Sequence, residues 1–222
     1  SQQVLDQGTD FTVSYEPEEN FELKEVWVDG AKQNILEHPT EYTFTDLQDD
    51  HEIEIVYSEI PLFPVVLKAR GGSLKSESTN VRRDQSVTLT WEPEEHYELD
   101  WLMVNGEIVD LAEGAAEYTV ENCQGPVKAY AYFKEKPVFK MEAEVLGGEM
   151  QVDSETIYRD DSYTVRYQPK KDYEFSRLYI DGEEVTDLTE EQKESYTFEN
   201  VQESHSIRVE YRWKYLPYAL GG

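Results

Sequence analysis

The chain has a single cysteine, Cys123, so no disulfide can form within it. Stability must come from packing and hydrogen bonding. The count does not choose a compartment, because both reduced intracellular proteins and many Gram-positive surface proteins are poor in cysteine. Histidine is also scarce, at His38, His51, His96 and His205. No pair has HExxH or Cys/His spacing, which argues against a zinc site. Long apolar runs are missing as well. No stretch approaches the roughly eighteen residues a membrane helix needs, and no signal-peptide pattern is present. If the chain is exported, the exporting and anchoring segments are expected to lie outside these residues. The deepest deficit is of positive charge: 20 Lys and Arg stand against 48 Asp and Glu, a net charge of −28. That field repels phosphate, sulfate and anionic headgroups, so DNA, RNA, heparin-like chains and direct membrane contact are excluded as partners.

What is abundant is aromatic: 16 Tyr, 8 Phe and 4 Trp in 222 residues. High acidity with few apolar residues would indicate disorder. Here the Tyr, Val, Phe and Ile follow strand periodicity throughout, so a folded β protein is expected. Self-comparison shows why. Tyr15-Glu16-Pro17-Glu18-Glu19 returns as Trp91-Glu92-Pro93-Glu94-Glu95 and as Tyr167-Gln168-Pro169-Lys170-Lys171. Pro17, Pro93 and Pro169 are 76 residues apart, and so are Gly30, Gly106 and Gly182. Tyr42 and Tyr118 keep the step, while Tyr196 comes 78 later. The third copy thus carries a two-residue insertion between Gly182 and Tyr196, which marks a surface loop. Gly71-Gly72 recurs at Gly147-Gly148, but its earlier counterpart would precede residue 1. The first copy is therefore expected to lack its opening hairpin and to leave an open edge, as in a fragment of a longer protein.

The middle copy gives the module in full. Val65 to Arg70 reads as a strand, Gly71-Gly72 as a tight hairpin turn and Ser73 to Thr79 as the return strand. Ser86 to Trp91 alternates polar and apolar, and Pro93 ends that strand. Tyr97 and Leu99 share one face, as do Leu102 and Val104, but the phase slips between them. A bulge near Asp100-Trp101 would restore the inward face, and the same slip occurs at Lys24-Glu25 and Ser176-Arg177. Asn105-Gly106, Asp29-Gly30 and Asp181-Gly182 are strong two-residue hairpin signals. Thr189-Glu190-Glu191-Gln192 fits the cap of one helical turn. Two closing strands follow, Glu117 to Val120 and Val127 to Phe133. The expected architecture is mainly β: three tandem small modules, β-grasp-like or small sandwiches, with mixed sheets, β-hairpins and at most one short helical turn each. Residues 1–59, 60–136 and 137–214 would be the modules and 215–222 a tail or linker.

The ordered signature is Gly-Gly, Thr-Leu-Thr-Trp-Glu-Pro, His96-Tyr97-Glu98-Leu99, Val104-Asn105-Gly106 and Tyr118-Thr119-Val120-Glu121-Asn122, with Tyr196 to Val201 and His205 to Val209 in the third copy. It resembles the divergent InlB B-repeat family, also called the bacterial repeat domain, over the second and third modules and most of the first. The resemblance implies secreted or wall-attached proteins, mostly of Gram-positive bacteria, whose tandem modules form stalks and adhesins and carry no catalytic residues. The chain departs from the family in placing Val26, Leu102 and Leu178 where many members have Trp, and in its acidity.

Few residues suggest chemistry. Cys123 aligns with Leu47 and Val201, so a buried structural thiol is the expectation, not a nucleophile. The histidines read as solvated loop residues. Carboxylates at Glu16, Glu18 and Glu19, at Asp46, Asp49 and Asp50, and at Asp160-Asp161 lack a calcium-loop register and read as solvated faces. No Ser-His-Asp arrangement, phosphate loop or cleft for paired acids is evident, so no enzyme, cofactor or metal is expected. Gly30, Gly71, Gly72, Gly106, Gly147, Gly148 and Gly182 read as structural turns. Trp101 aligns with Glu25 and Arg177 at an outward or bulge position, and is the one candidate for a ligand surface. A Trp half-covering a module junction is the competing account. Leu216-Pro217-Tyr218-Ala219-Leu220-Gly221-Gly222 only partly matches a sortase signal, so a linker is expected. The functional expectation is a monomeric extracellular spacer or stalk of a Gram-positive surface protein, with an adhesin module binding a host protein or glycan as the alternative.

Overall fold

The structure is a computed structural model, and it describes residues 2–215. The sequence beyond Tyr215, including the stretch compared with a sorting signal, lies outside the described residues. The protein is almost wholly β, built as tandem small modules, and each sheet is confined to one stretch of sequence.

Residues 138–213 show one module in full. Strands β14 (Val138–Leu146), β16 (Thr156–Tyr158), β18 (Tyr173–Ile180), β19 (Glu183–Glu184) and β21 (His205–Trp213) form a five-stranded sheet in the order β16-β14-β21-β18-β19. Strands β15 (Gly148–Gln151), β17 (Tyr163–Pro169) and β20 (Ser195–Phe198) form a three-stranded antiparallel sheet in the order β15-β17-β20. The larger sheet is mixed, because β14 runs parallel to β21 while β18 runs antiparallel to it. Met141, Leu178, Ile207 and Val209 from that sheet share one core with Tyr163, Val165, Tyr167 and Phe198 from the other. This is a small sandwich: alternate residues of each strand face the partner sheet and leave water, and that burial drives the packing.

The middle stretch repeats the plan. Strands β6 (Leu62–Arg70), β8 (Asn80–Arg82), β10 (Tyr97–Val104), β11 (Glu107–Ile108) and β13 (Val127–Glu135) take the order β11-β10-β13-β6-β8. Strands β7 (Gly72–Ser76), β9 (Val87–Pro93) and β12 (Glu117–Val120) take the order β12-β9-β7. In the first stretch, β1 (Phe11–Ser14) pairs only with β4 (Glu41–Phe44), and β2 (Phe21–Val28), β3 (Ala31–Lys32) and β5 (Ile53–Glu59) form a sheet in the order β3-β2-β5. No strand of residues 2–59 corresponds to β6, β7 or β8.

Local signals explain most of these elements. Asp29, Asn105 and Asp181 all have positive φ and are followed by Gly30, Gly106 and Gly182, also at positive φ. These are mirror-image turns that match strand twist. They close two-residue hairpins, with Val28 opposite Ala31, Val104 opposite Glu107 and Ile180 opposite Glu183. The register shifts between Leu23 and Glu25 and between Phe175 and Arg177, where the phase of the apolar residues slips. Val26, Leu102 and Leu178, one per copy just past this point, are each 0% exposed. The two-residue insertion of the third copy carries the one helical turn among the described residues, Glu191–Lys193. Thr189 Oγ1 accepts from the Gln192 amide at 3.2 Å, and Gln192 Oε1 accepts from the Thr189 amide at 3.0 Å, a reciprocal cap.

The Gly-Gly pairs are not hairpin turns. β6 and β7 belong to different sheets, and so do β14 and β15, so Gly71-Gly72 and Gly147-Gly148 are corners at which the chain leaves one sheet for the other. The physical demand differs from that of a hairpin. Gly71 and Gly147 have positive φ, and a Cβ on Gly71 would lie 2.9 Å from the Tyr97 ring and 3.0 Å from the Phe133 carbonyl. A Cβ on Gly148 would lie 2.4 Å from the Tyr211 ring. The corner is thus pressed onto an aromatic residue, which a hairpin reading of the sequence does not foresee.

By contact density the chain divides into two compact units that share the middle stretch. Of the described residues, one comprises 2–68, 74–92 and 102–130, the other 69–73, 93–101 and 131–215.

Candidate functional site

Two kinds of surface stand out from the residues upward. The first is a row on the outward face of the middle five-stranded sheet. At the end of β10, Leu102 and Val104 are buried, which turns Trp101 outward. On β13, Ala131 and Phe133 are buried, so Tyr132 between them also faces outward. The Trp101 and Tyr132 rings stack, with centroids 5.5 Å apart and planes 25° apart. On β6 the exposed Arg70 places its guanidinium over the Tyr132 ring, 5.8 Å from the centroid, at cation–π range. Trp101 is therefore a half-buried member of a three-residue row and packs against its own module. At the corresponding place the third copy pairs Arg177 with Glu210 across the strands, and the first pairs Glu25 with Val56. The aromatic row belongs to the middle copy. Trp101 was visible in the sequence; Tyr132 and Arg70 follow only once the mixed sheet order is known.

The second surface is a clamp that occurs twice, at the start of each of two successive stretches. Arg83 is hydrogen-bonded and ion-paired to Glu22, and its amide donates to the Pro61 carbonyl at 2.9 Å. Arg159 is hydrogen-bonded and ion-paired to Glu98, and its amide donates to the Pro137 carbonyl at 2.9 Å. The residue before each Arg reaches the same preceding strand end. Arg82 lies 3.3 Å from Glu59, and the Tyr158 hydroxyl donates to Glu135 at 3.0 Å. The residue after each Arg is an aspartate held by a glutamine, Asp84 by Gln124 and Asp160 by Gln202. Those glutamine bonds, helped by Arg83 and by Lys136 with Arg159, hold both carboxyls below the usual aspartate range. His96 adds a contact at the second clamp. It stacks on Tyr158 with centroids 3.9 Å apart and lies 3.4 Å from Asp161. Sequence reading alone missed the clamp, although Glu22, Pro61, Arg83 and Asp84 recur at the 76-residue step as Glu98, Pro137, Arg159 and Asp160.

The other histidines also differ from a solvated-loop reading. His51 Nδ1 lies 2.7 Å from Asp29, and His205 Nδ1 lies 2.8 Å from Asp181. Their rings pack against Phe44 and Phe198. Each pins the first residue of a hairpin turn whose other carboxylate oxygen accepts a backbone amide, from Glu52 or Ser206. The Glu52 amide and His51 together hold the Asp29 carboxyl low. The middle copy replaces both partners, with Asn105 at the turn and Val127 in place of His; this exchange in step was a signal legible in the sequence. Cys123 is 4% exposed and points its thiol at the Val120 carbonyl, 3.6 Å away. Burial pushes its pKa up, opposite to what a nucleophile needs. Among the described residues no group of three or more His, Cys, Asp or Glu is placed to hold a metal ion.

No family model and no curated protein matches the chain. Among solved structures it is similar to the central fibronectin-III array of RIM-binding protein, at 14% identity over 88% of this chain and 82% of that one, with a TM-score of 0.20. It is also similar to the I9–I11 tandem of titin, at 7% identity over 92% of this chain and 93% of that one, with a TM-score of 0.13. The titin I-band fragment I67–I69 matches at 8% identity over 92% of each chain, with a TM-score of 0.14. Scores this low carry no argument about function.

Proposed function

We propose that this chain is a non-catalytic extracellular spacer, part of the stalk of a Gram-positive bacterial surface protein and monomeric in that role. The observation that carries the reading is the repeated clamp. Arg83–Glu22 and Arg159–Glu98 join successive stretches through the same atoms, each beside a proline-bearing link, Pro61 and Pro137. A built joint that recurs with the repeat is what a spacer requires, since the stability of such arrays sums module and neighbour terms. The resemblance to InlB B-repeats supports the compartment, and the charge of −28 supports solubility and repulsion of anionic partners.

The Arg70–Tyr132–Trp101 row favours a second reading, an adhesin module that binds a glycan or a host protein through an aromatic platform. Screening the intact chain against glycan and host-protein arrays separates the two. A spacer retains nothing. A reproducible hit that Trp101→Ala abolishes, while the fold persists by circular dichroism, would replace the spacer reading with the adhesin one.

A further inference from the structure

We propose that the third module is built to bear tension: its first and last strands, β14 and β21, pair in parallel and are loaded in shear when the chain is pulled lengthwise. This goes beyond the spacer reading and does not rest on it, because resistance to force is a property of the fold whatever the chain carries.

Chain order and strand direction together decide the geometry. β14 opens the module at Val138 and β21 closes it at Trp213. The two are neighbours in the larger sheet and run parallel over six pairs, from Met141 opposite His205 to Leu146 opposite Glu210. The entry to β14 therefore lies at one end of the shared ladder and the exit from β21 at the other. Tension along the chain pulls the strands past each other along their own axes, so all the pairs resist together. An antiparallel pair would place entry and exit at the same end and open one pair at a time. Parallel pairing is slightly weaker per residue, so the resistance comes from bonds acting at once and not from the strength of each. In the middle module the first and last strands, β6 and β13, are likewise neighbours.

The loaded amides can be named. The Met141 amide donates away from β21, to the Glu155 carbonyl at 3.0 Å, and the Lys140 amide donates toward it, to Ser204 Oγ at 3.1 Å. Successive amides of a strand point to opposite sides, so those of Glu142, Glu144 and Leu146 face β21. The side chains of these three residues are exposed. On the other face Met141, Ile207 and Val209 are at most 6% exposed and keep water from the ladder. On its far side β21 is held by β18 over seven antiparallel pairs, whereas β14 has only three pairs with β16. The β14–β21 ladder is thus the one that yields, with β14 as the strand that slips.

Stretching the chain at constant force tests this. It is held at its N-terminal end and either at its C-terminal end or at a handle on Glu203→Cys, an exposed residue just before β21. Cys123 is 4% exposed, which directs the handle to residue 203. Load entering at 203 meets the ladder beside the start of β14 and peels it pair by pair. The third module is then expected to open at least about tenfold sooner than under end-to-end load, because one pair resists at a time. The dwell time of the middle module should not change.

Two prolines, each removing a ladder donor, probe the same bonds with both ends held. Glu144→Pro acts between β14 and β21. Tyr179→Pro acts between β18 and β21, since the Asp181 amide two residues on donates to Ser206. Glu144→Pro is expected to shorten the dwell time by about tenfold, as loss of a bond that breaks before the barrier does. Tyr179→Pro should leave the dwell time unchanged although it lowers Tm at least as much. Equal dwell times at the two attachment points, or an effect of Tyr179→Pro as large as that of Glu144→Pro, would overturn the proposal.

Discussion

The glycines divide into two kinds that look alike in sequence. Gly30 and Gly106 have positive φ but open space where a Cβ would go. Gly71 and Gly148 have aromatic rings and carbonyls there. Gly30→Ala should therefore cost only the left-handed backbone penalty, about 1–2 kcal/mol. Gly148→Ala has to displace the Tyr211 ring, 2.4 Å away, and the Gln168 carbonyl, 2.6 Å away. It should cost more, roughly 3 kcal/mol or above, as overpacking against backbone does. Urea unfolding of the two variants checks the order, and equal losses would contradict the corner geometry. The clamp arginine is a gentler case. Arg159 and Glu98 are partly solvated, so Arg159→Gln should lower Tm by only about 1–3 °C, and the loss should shrink as salt is raised.

At the scale of elements, the helical turn of the third copy rests on one reciprocal cap. Thr189→Ala removes it and should cost about 1 kcal/mol, read as a Tm shift confined to that substitution. A null result would mean that the turn is held by its neighbours instead. The elements are also where sequence and structure can be compared. The hairpins at Asp29-Gly30, Asn105-Gly106 and Asp181-Gly182, the slips at Lys24 and Ser176 and the turn after Thr189 were legible because each depends on a few adjacent residues. The sheet switch at Gly71-Gly72 was not, since a hairpin and a corner need the same backbone freedom and differ only in which distant strand receives the chain. The Arg83–Glu22 and Arg70–Tyr132 contacts were hidden for the same reason: they join strands far apart in sequence. Trp101 was picked out by contrast with Glu25 and Arg177, but its partners lie on other strands.

For the whole molecule, charge sets the response to solution conditions. With a net charge of −28 at neutral pH, self-repulsion opposes compactness, so added salt should raise Tm. Lowering the pH from 7 toward 5 should act in the same direction as carboxylates begin to take up protons. Below that the sign reverses. Asp29, Asp84 and Asp160 have folded pKa values depressed below their unfolded ones. Their contribution is complete above the unfolded value of about 3.9 and is lost as pH falls through the lower folded values. A Tm that rises and then falls on acidification is the expected curve, followed by differential scanning calorimetry. A steady fall from pH 7 downward would show that self-repulsion is not the controlling term.

The central claim is that one fold is laid down repeatedly and joined each time by the same clamp. Single-molecule stretching of the chain, held at its two ends, addresses it most directly. Separate unfolding events are expected, and the complete modules should each release about 250 Å of chain, the extended length of a 76-residue repeat less its folded span. One concerted event that releases the whole chain, or steps unrelated to the repeat length, would contradict the account.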